Sequence, residues 1–431
     1  MPLINPSLRN PSSQKVDGLD RVIGASETFV RLREIGNTLG VTRIADITGL
    51  DRIGIPVYSA IVPSSDDGIS VYNGKGLRSI DAKVGALMES IERQTALKTR
   101  LPYIEATYRH LSQQDRTLDP WKINQALFED FTPESLCSWV RGTDLFSGEE
   151  VWVPAHLAGY LWNDVPHGSP FTVSDSNGLA SGNNRLEAIY HALCELIERD
   201  AWTFAELGGS FLPAARGQVM GDASAGQSDD LEHCPCVEIP LDNELLRAFQ
   251  EAGLSLLVRD ITSALQVPAF LASVGDESIF GFPMAHVGFG CSPNADVALR
   301  RAITEVAQSR CVDIQSVRED IVDSNASKGM FSLHTKRVAT VNRRSWFLGE
   351  SQSRRPFEAI ESHIFKDLNQ DIQWLMQRLE AAGLAEAIVV DFTPDCTTHS
   401  VVRVILPGIE LWASDHGRVG PRAVEFWKRH A

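Results

Sequence analysis

The chain writes one short helix twice. ALMESIER at residues 86–93 returns roughly a hundred residues later as ALCELIER at residues 192–199, and only Met88/Cys194 and Ser90/Leu196 differ. A repeat without a short fixed period excludes a solenoid and predicts internal duplication, with two related halves facing one another. Residues three or four apart share a helix face, so Glu89 and Glu92 are neighbours in the first copy. In the second copy Glu187, His191, Glu195 and Glu198 follow at spacings of four, four and three. At the helical turn angle, Glu187 and Glu198 lie about 20° apart and Glu195 within about 80° of both. Three carboxylates and an imidazole therefore share one stripe.

On an exposed surface such a stripe costs up to about 0.5 kcal/mol per like-charged pair. Ala192, Leu193, Ile197 and Ala201 surround the acids, and burying ionised carboxylates without compensation costs far more. Cations are the natural compensation, and oxygen ligands with one or two carboxylates per ion suit Mg²⁺. A third helix varies the theme: in AITEVAQSR, residues 302–310, Glu305 and Gln308 take the places of the paired acids. Arg301 shares their face, while Arg310 points away from Gln308 on an ideal helix. Acids for magnesium beside amide and guanidinium donors suit a polyphosphate. For any one helix the competing reading is a solvent-facing Glu–Arg surface, and the near-identical repetition weighs against it. The His-x3-Glu spacing also fits a zinc helix, but no second His or Cys cluster completes one, and HCPC at residues 233–236 is a single Cys-x-Cys.

The loops before these helices are glycine-punctuated. NGKG at 73–76 brings backbone amides and Lys75 toward an anion, without the full pattern of a Walker loop. SNGLASGNN does the same at the start of the second helix, where the dipole favours anions. Elsewhere strands and helices alternate, which indicates an α/β fold. A capping-box helix starts at Ser26, strands are expected in VTRIADI, IPVYSAIV and ISVYNGKG, and helices over 79–98 and 185–206 carry the two copies. Residues 1–18 read as a loosely ordered lead-in to a single domain over 19–431, and 213–232 as a mobile loop.

A net charge of −16 argues against non-specific nucleic-acid binding. No apolar run reaches the roughly 20 residues of a membrane span, and the N-terminus lacks the apolar core of a secretory signal, so cytoplasmic residence is expected. Seven scattered cysteines, an odd number, fit reduced thiols.

NGKG with ALMESIER, SNGLASGNNRLEAIYHALCELIERDA, and ALRRAITEVAQSR, in that order, resemble the motif segments of the YcaO family over roughly residues 20 to 410. VTRIADITGLDRIGIPV further resembles the branch that works with a TfuA partner protein. The resemblance implies an α/β YcaO-type ATP-binding fold with two pseudo-symmetric halves around a glutamate-rich nucleotide site. It implies ATP and Mg²⁺ as cofactors, a peptide or protein substrate, a separate TfuA-like or other substrate-delivering partner, and a homodimer. It also implies phosphorylation of a backbone amide oxygen followed by nucleophilic replacement, yielding a thioamide, an azoline or an amidine.

Carried over residue by residue, Glu89, Glu92, Glu187, Glu195 and Glu198 match the family's magnesium and nucleotide carboxylates, with Glu195 and Glu198 as the catalytic pair. Lys75, Asn183, Gln308 and Arg310 match its nucleotide-contacting positions. Gly85 stands where the family usually has serine, and RVGPRAVEFWKRHA lacks the proline-rich ending of many azoline-forming members. No added leader-capturing domain is evident. The missing proline-rich ending lowers the azoline reading in favour of thioamide formation, and Gly85 leaves open the alternative of another class, a nucleotide-binding scaffold without catalysis.

Overall fold

The computed structural model describes residues 13–16, 20–67, 69–161, 170–171, 175–211, 236–238, 244–276, 284–316, 346–348, 354–393, 398–414, 417 and 419–430. The expected mobile loop at 213–232, the first three residues of HCPC, and residues 1–12 and 17–18 of the lead-in lie outside these. Residues 13–16 of that lead-in are hydrogen-bonded to residues 366–368. Lys15 N–H donates to the Lys366 carbonyl at 2.9 Å, Leu368 N–H to the Ser13 carbonyl at 3.0 Å, and Ser13 Oγ to Asp367 at 2.7 Å.

Helix α1 (Ala25–Leu39) starts one residue before the expected capping box. Gly24 is its N-cap and makes no side-chain bond there, and Gly40, at φ 107°, ends it by donating to the Asn37 and Gly36 carbonyls. Strands β1 (Arg43–Asp46), β2 (Val57–Ile61) and β3 (Val71–Lys75) form an antiparallel sheet in that order, and α2 (Ser79–Lys98) follows. Leu32, Ala60, Tyr72, Leu87 and Ile91 bury the face between sheet and helices.

Then come β4 (Tyr103–Thr107), α3 (Tyr108–Leu111), β5 (Leu136–Asp144), β6 (Glu150–Pro154), α4 (Ala155–Ala158), β7 (Leu179–Gly182) and α5 (Arg185–Glu206). They are followed by β8 (Cys236–Glu238), α6 (Glu244–Glu251), β9 (Leu256–Asp260), β10 (Ala269–Asp276), β11 (Met284–Cys291) and α7 (Ala295–Ser316). The described chain ends with β12 (Arg354–Pro356), α8 (Leu368–Ala381), β13 (Ile388–Asp391), β14 (Ser400–Ile405) and α9 (Pro421–His430). The second sheet has the order β4-β5-β13-β14-β7 with β6 on β5, and the third has the order β11-β10-β9-β8-β12. Helix α5 is apolar on several faces because it is buried between two sheets: its Leu186, Ile189, Leu193 and Ile197 share one core with Val402 and Val404 of β14 and with Leu271 and Phe289 of the third sheet.

The duplication runs to a third unit. Strands β3, β7 and β11 each lead into one long helix: α2, α5 and α7. A glycine in each strand lets that helix lie on its backbone. A Cβ on Gly74 would stand 2.1 Å from Ala86 N, one on Gly182 2.5 Å from Ala188 N, and one on Gly290 2.0 Å from the Ala298 carbonyl. In register, Gly74 meets Ala82 and Ala86 while Gly290 meets Ala298 and Ala302, at the same spacings. Each helix also packs on the strand of another unit: α2 on β7, α5 on β11, and α7 on β3. The three units thus close a ring, and the acidic turns of the helices point into it.

Candidate functional site

The three helices present equivalent stations. Glu89, Glu195 and Glu305 occupy one, and Glu92, Glu198 and Gln308 the next turn. One turn earlier stand Gly85, His191 and Arg301. A side chain at 85 would press on β3, because its Cβ would lie 3.2 Å from Gly74 Cα, so the first station lacks the polar group that the other two carry.

On α2, Glu92 is buried, and the loop strand β7 neutralises it: Ser181 donates to Glu92 Oε2 through its backbone N–H at 2.8 Å and its hydroxyl at 3.1 Å. Glu89 lies in the open half of the turn, where Arg93 holds it at 3.2 Å. Arg93 also donates to Tyr160 OH at 2.7 Å, and that hydroxyl donates to Asp67 at 2.8 Å.

On α5, Arg199 reaches both acids of its own copy, Glu198 at 3.1 Å and Glu195 at 3.6 Å. Glu195 accepts the Gly178 N–H at 3.2 Å. Gly178 sits at φ 76°, with the Val404 carbonyl 2.2 Å from where a Cβ would be, so only glycine fits that turn. Glu187 belongs to the helix entrance. Asn184 caps the helix by accepting from Glu187 N–H at 2.9 Å. The Glu187 carboxylate takes the Asn183 side-chain amide at 3.0 Å, Val22 N–H at 3.1 Å and Arg21 at 3.6 Å. On α7, Glu305 pairs with Lys75 across the ring.

Charge accounts for the arrangement. Burial, reinforced by Glu89, pushes the Glu92 carboxyl well above the usual carboxylate range, and burial also raises Glu195. Burial takes Glu198 to about 7, with Glu305 and Glu195 adding to the rise while Arg199 opposes it. Burial drives the His191 imidazole well below its ordinary value, helped by Arg21 and Arg301, so it is neutral. The acids therefore form a chain of mutually repelling neighbours, Glu89–Glu92–Glu195 and Glu195–Glu198–Glu305, held together by Arg93, Arg199 and Lys75.

The structure brings Lys75, Glu89, Glu92, Glu195, Glu198 and the third helix's Glu305 toward one interior. It ties Asn183 and Glu187 to each other at the start of α5, where Thr28 Oγ1 orients Asn183 at 2.9 Å. Gln308 lies half-buried one turn beyond Glu305. Arg310 turns elsewhere: it grips Asp51 in a buried two-pronged pair at 2.8 and 3.1 Å, which fastens α7 to the TGLDRIG loop. The amides expected to cradle an anion are largely spent on the protein's own acids, since Gly178, Ser181 and Asn183 N–H all donate to glutamates. Lys75, likewise expected against phosphate, rests on Glu305. Arg93 and Arg199 were legible as the invariant arginine of the repeat; Ser181, Tyr160 and Asp67 carried no such signal.

Among the described residues no three His, Cys, Asp or Glu side chains converge as a ready metal cage. The donor set fits an ion that arrives with part of its own coordination sphere. Mg²⁺ keeps waters and takes one or two protein carboxylates together with substrate phosphates. Raised carboxyls that face one another are what such an ion would discharge.

Comparison with known proteins agrees with this geometry. Residues 73–410 match the family model described as YcaO cyclodehydratase, ATP- and Mg²⁺-binding. A protein of Methanothermobacter thermautotrophicus is 35% identical over 93% of this chain and 98% of its own. A Rhizobium leguminosarum protein described as lying in the tfuA 3′ region is 31% identical over 97% of this chain and 95% of its own. The structure of YcaO from Methanopyrus kandleri bound with AMPPCP and Mg²⁺ superposes with a TM-score of 0.70 at 25% identity, covering 95% of this chain and 98% of that one. With its three strand–helix units, its glutamate stations and a family match across most of its length, this chain belongs to the YcaO family.

Proposed function

We propose that this protein uses ATP and Mg²⁺ to phosphorylate a backbone amide oxygen of a peptide or protein, and that a sulfide-equivalent nucleophile then replaces that oxygen to give a thioamide. An amide carbonyl is a poor electrophile. Transfer of the γ-phosphoryl group leaves ADP and turns the oxygen into a leaving group; sulfur bonds to the carbon, and the oxygen departs as phosphate. Bound magnesium would neutralise charge developing on the transferring phosphoryl group. Glu195 and Glu198 would hold the ion together with Glu89 and Glu92, while Lys75, Asn183, Glu187 and Gln308 position the nucleotide. Arg310, fixed to Asp51, acts by holding α7 in place.

One observation favours the thioamide reading: the Rhizobium relative from the tfuA 3′ region matches nearly the whole chain. A TfuA-type partner would then deliver the substrate. The second reading, azoline formation by attack of a neighbouring Cys, Ser or Thr side chain, is supported by the family description as cyclodehydratase. Product mass separates them when peptide, partner, ATP, Mg²⁺ and sulfide are combined. Exchange of oxygen for sulfur supports the thioamide, and loss of water supports the azoline. Mg²⁺-dependent ATP binding without turnover on any peptide would leave a nucleotide-binding scaffold.

A further inference from the structure

A carboxylate outside every glutamate motif sits beneath the ring. Asp20 is almost completely buried, its side chain 4% exposed, yet it comes from the segment before α1. Its Oδ2 accepts Tyr190 OH of α5 at 2.5 Å and Ser292 Oγ, just beyond β11, at 3.1 Å, and it faces Arg301 of α7 at 3.8 Å. On the far side Lys15 spans Asp20 at 3.2 Å and Asp371 of α8 at 2.9 Å. Two of the three strand–helix units therefore meet on one side chain, and α8 is joined to it through Lys15.

Arg301 gives this carboxylate a purpose. It occupies the α7 station equivalent to His191 and Gly85, one turn from Glu305, and its electrostatic neighbours include Glu198 and His191. One guanidinium nitrogen donates to the Cys291 carbonyl at 3.1 Å and another faces Asp20, while the side chain stays 23% exposed. An arginine loses rotamer freedom when it meets an anion in a fixed pose, so it gains from being held in advance. Asp20 and the Cys291 carbonyl hold it from behind.

We infer that Asp20 is a positioning residue for nucleotide binding: it orients Arg301 toward the polyphosphate of ATP and thereby makes Lys15, Asp20, Arg21 and Val22 part of the site. The same segment supplies Val22 N–H and Arg21 to Glu187, so it braces the start of α5 and the middle of α7 together. The inference rests on the ATP-dependent reading above.

A double-mutant cycle on Mg²⁺–ATP affinity tests it, using the full-length protein and the ligand-induced rise in melting temperature together with KM and kcat for ATP. Asp20→Asn should weaken ATP about tenfold, mainly through KM, as Arg301→Gln does, and the double variant should be no worse than Arg301→Gln alone. Such non-additivity is expected of residues acting through one another. Tyr190→Phe, which removes one donor to Asp20 without changing charge, should produce a smaller KM effect in a protein that still folds. Additive losses would show that Asp20 acts apart from Arg301, and an Asp20→Asn protein with lower melting temperature and unchanged ATP affinity would assign it to stability alone; either outcome overturns the inference. A wild type that shows no Mg²⁺–ATP response overturns the functional reading itself, and this inference with it.

Discussion

The two copies of the octapeptide share sequence and geometry but not surroundings. In the α2 copy the buried acid, Glu92, is neutralised from outside, by the amide and hydroxyl of Ser181 on a neighbouring unit's strand. Its arginine holds Glu89 and reaches on to Tyr160. In the α5 copy the arginine stays home and covers both acids, and among the described residues one backbone donor, Gly178 N–H, assists. Identical residues thus become one buried acid held by hydrogen bonds from another strand and one pair that leans chiefly on the arginine of its own copy. The ring dictates the difference: a helix can repeat its own side chains but not the strand packed against it. On the reading proposed above, the α5 acids would exchange that arginine for Mg²⁺.

The largest test of that asymmetry is functional. Glu195→Gln and Glu198→Gln should each lower ATP-dependent turnover by about 10³ or more, the scale of about 4 kcal/mol of lost transition-state stabilisation. They should also abolish the rise of roughly 2.7 kcal/mol in stability expected of the wild type at a hundred times the ligand's dissociation constant. Glu89→Gln, in the more open half of the α2 turn, should cost far less. Equal losses from Glu89→Gln and Glu195→Gln would show that the two copies contribute alike.

Arg199 and Arg93 sharpen the comparison in the metal-free protein. Removing Arg199 strands two half-buried carboxylates, and breaking such pairs costs about 3–5 kcal/mol when the remaining charge has no other partner. Arg199→Met should therefore lower metal-free stability by that order in a denaturant titration with chelator, and excess Mg²⁺–ATP should recover much of it. Arg93→Met should cost less, since Glu92 keeps both Ser181 donors. A larger loss from Arg93→Met would reverse the assignment. Ser181→Ala, which takes away one hydrogen bond and leaves the backbone one, should cost about 1 kcal/mol.

Why the sequence disclosed the acids and not their partners is visible in these same residues. Helices α2 and α5 run over the spans that periodicity predicts, because a 3.6-residue pattern is local. The repeat marked Glu89, Glu92, Glu195, Glu198 and both arginines for the same reason. Ser181 reaches Glu92 across 89 residues and Asp20 reaches Tyr190 across 170, and no spacing rule spans such distances. Arg310 illustrates the converse: an ideal helix turns it away from Gln308, yet only the fold supplies Asp51 as its destination. The third unit was half legible, as a helix with one glutamate replaced by glutamine. Its place in a closed ring emerged only once α7 was seen to lie on β3.

The smallest and most diagnostic effect is on pH dependence. Glu198 titrates near 7 in the fold because burial and the neighbouring acids disfavour its charge, against an ordinary value of 4.5. The folded state then holds a proton that the unfolded chain has already released, so this group's contribution is fully present below about pH 4.5 and is lost as pH rises through about 7. Metal-free protein should thus lose stability across that window, and Glu198→Gln should flatten the slope. Magnesium binds the ionised form, so saturating Mg²⁺–ATP should remove the same slope in the wild type, and affinity for the ion should climb from pH 6 to 8. The buried Glu92 is raised well above the carboxylate range too, chiefly by burial and despite the Ser181 donors, so Glu92→Gln should also flatten the slope. A slope that survives Glu198→Gln and disappears in Glu92→Gln would move the titrating, metal-ready position from the second copy of the helix to the first.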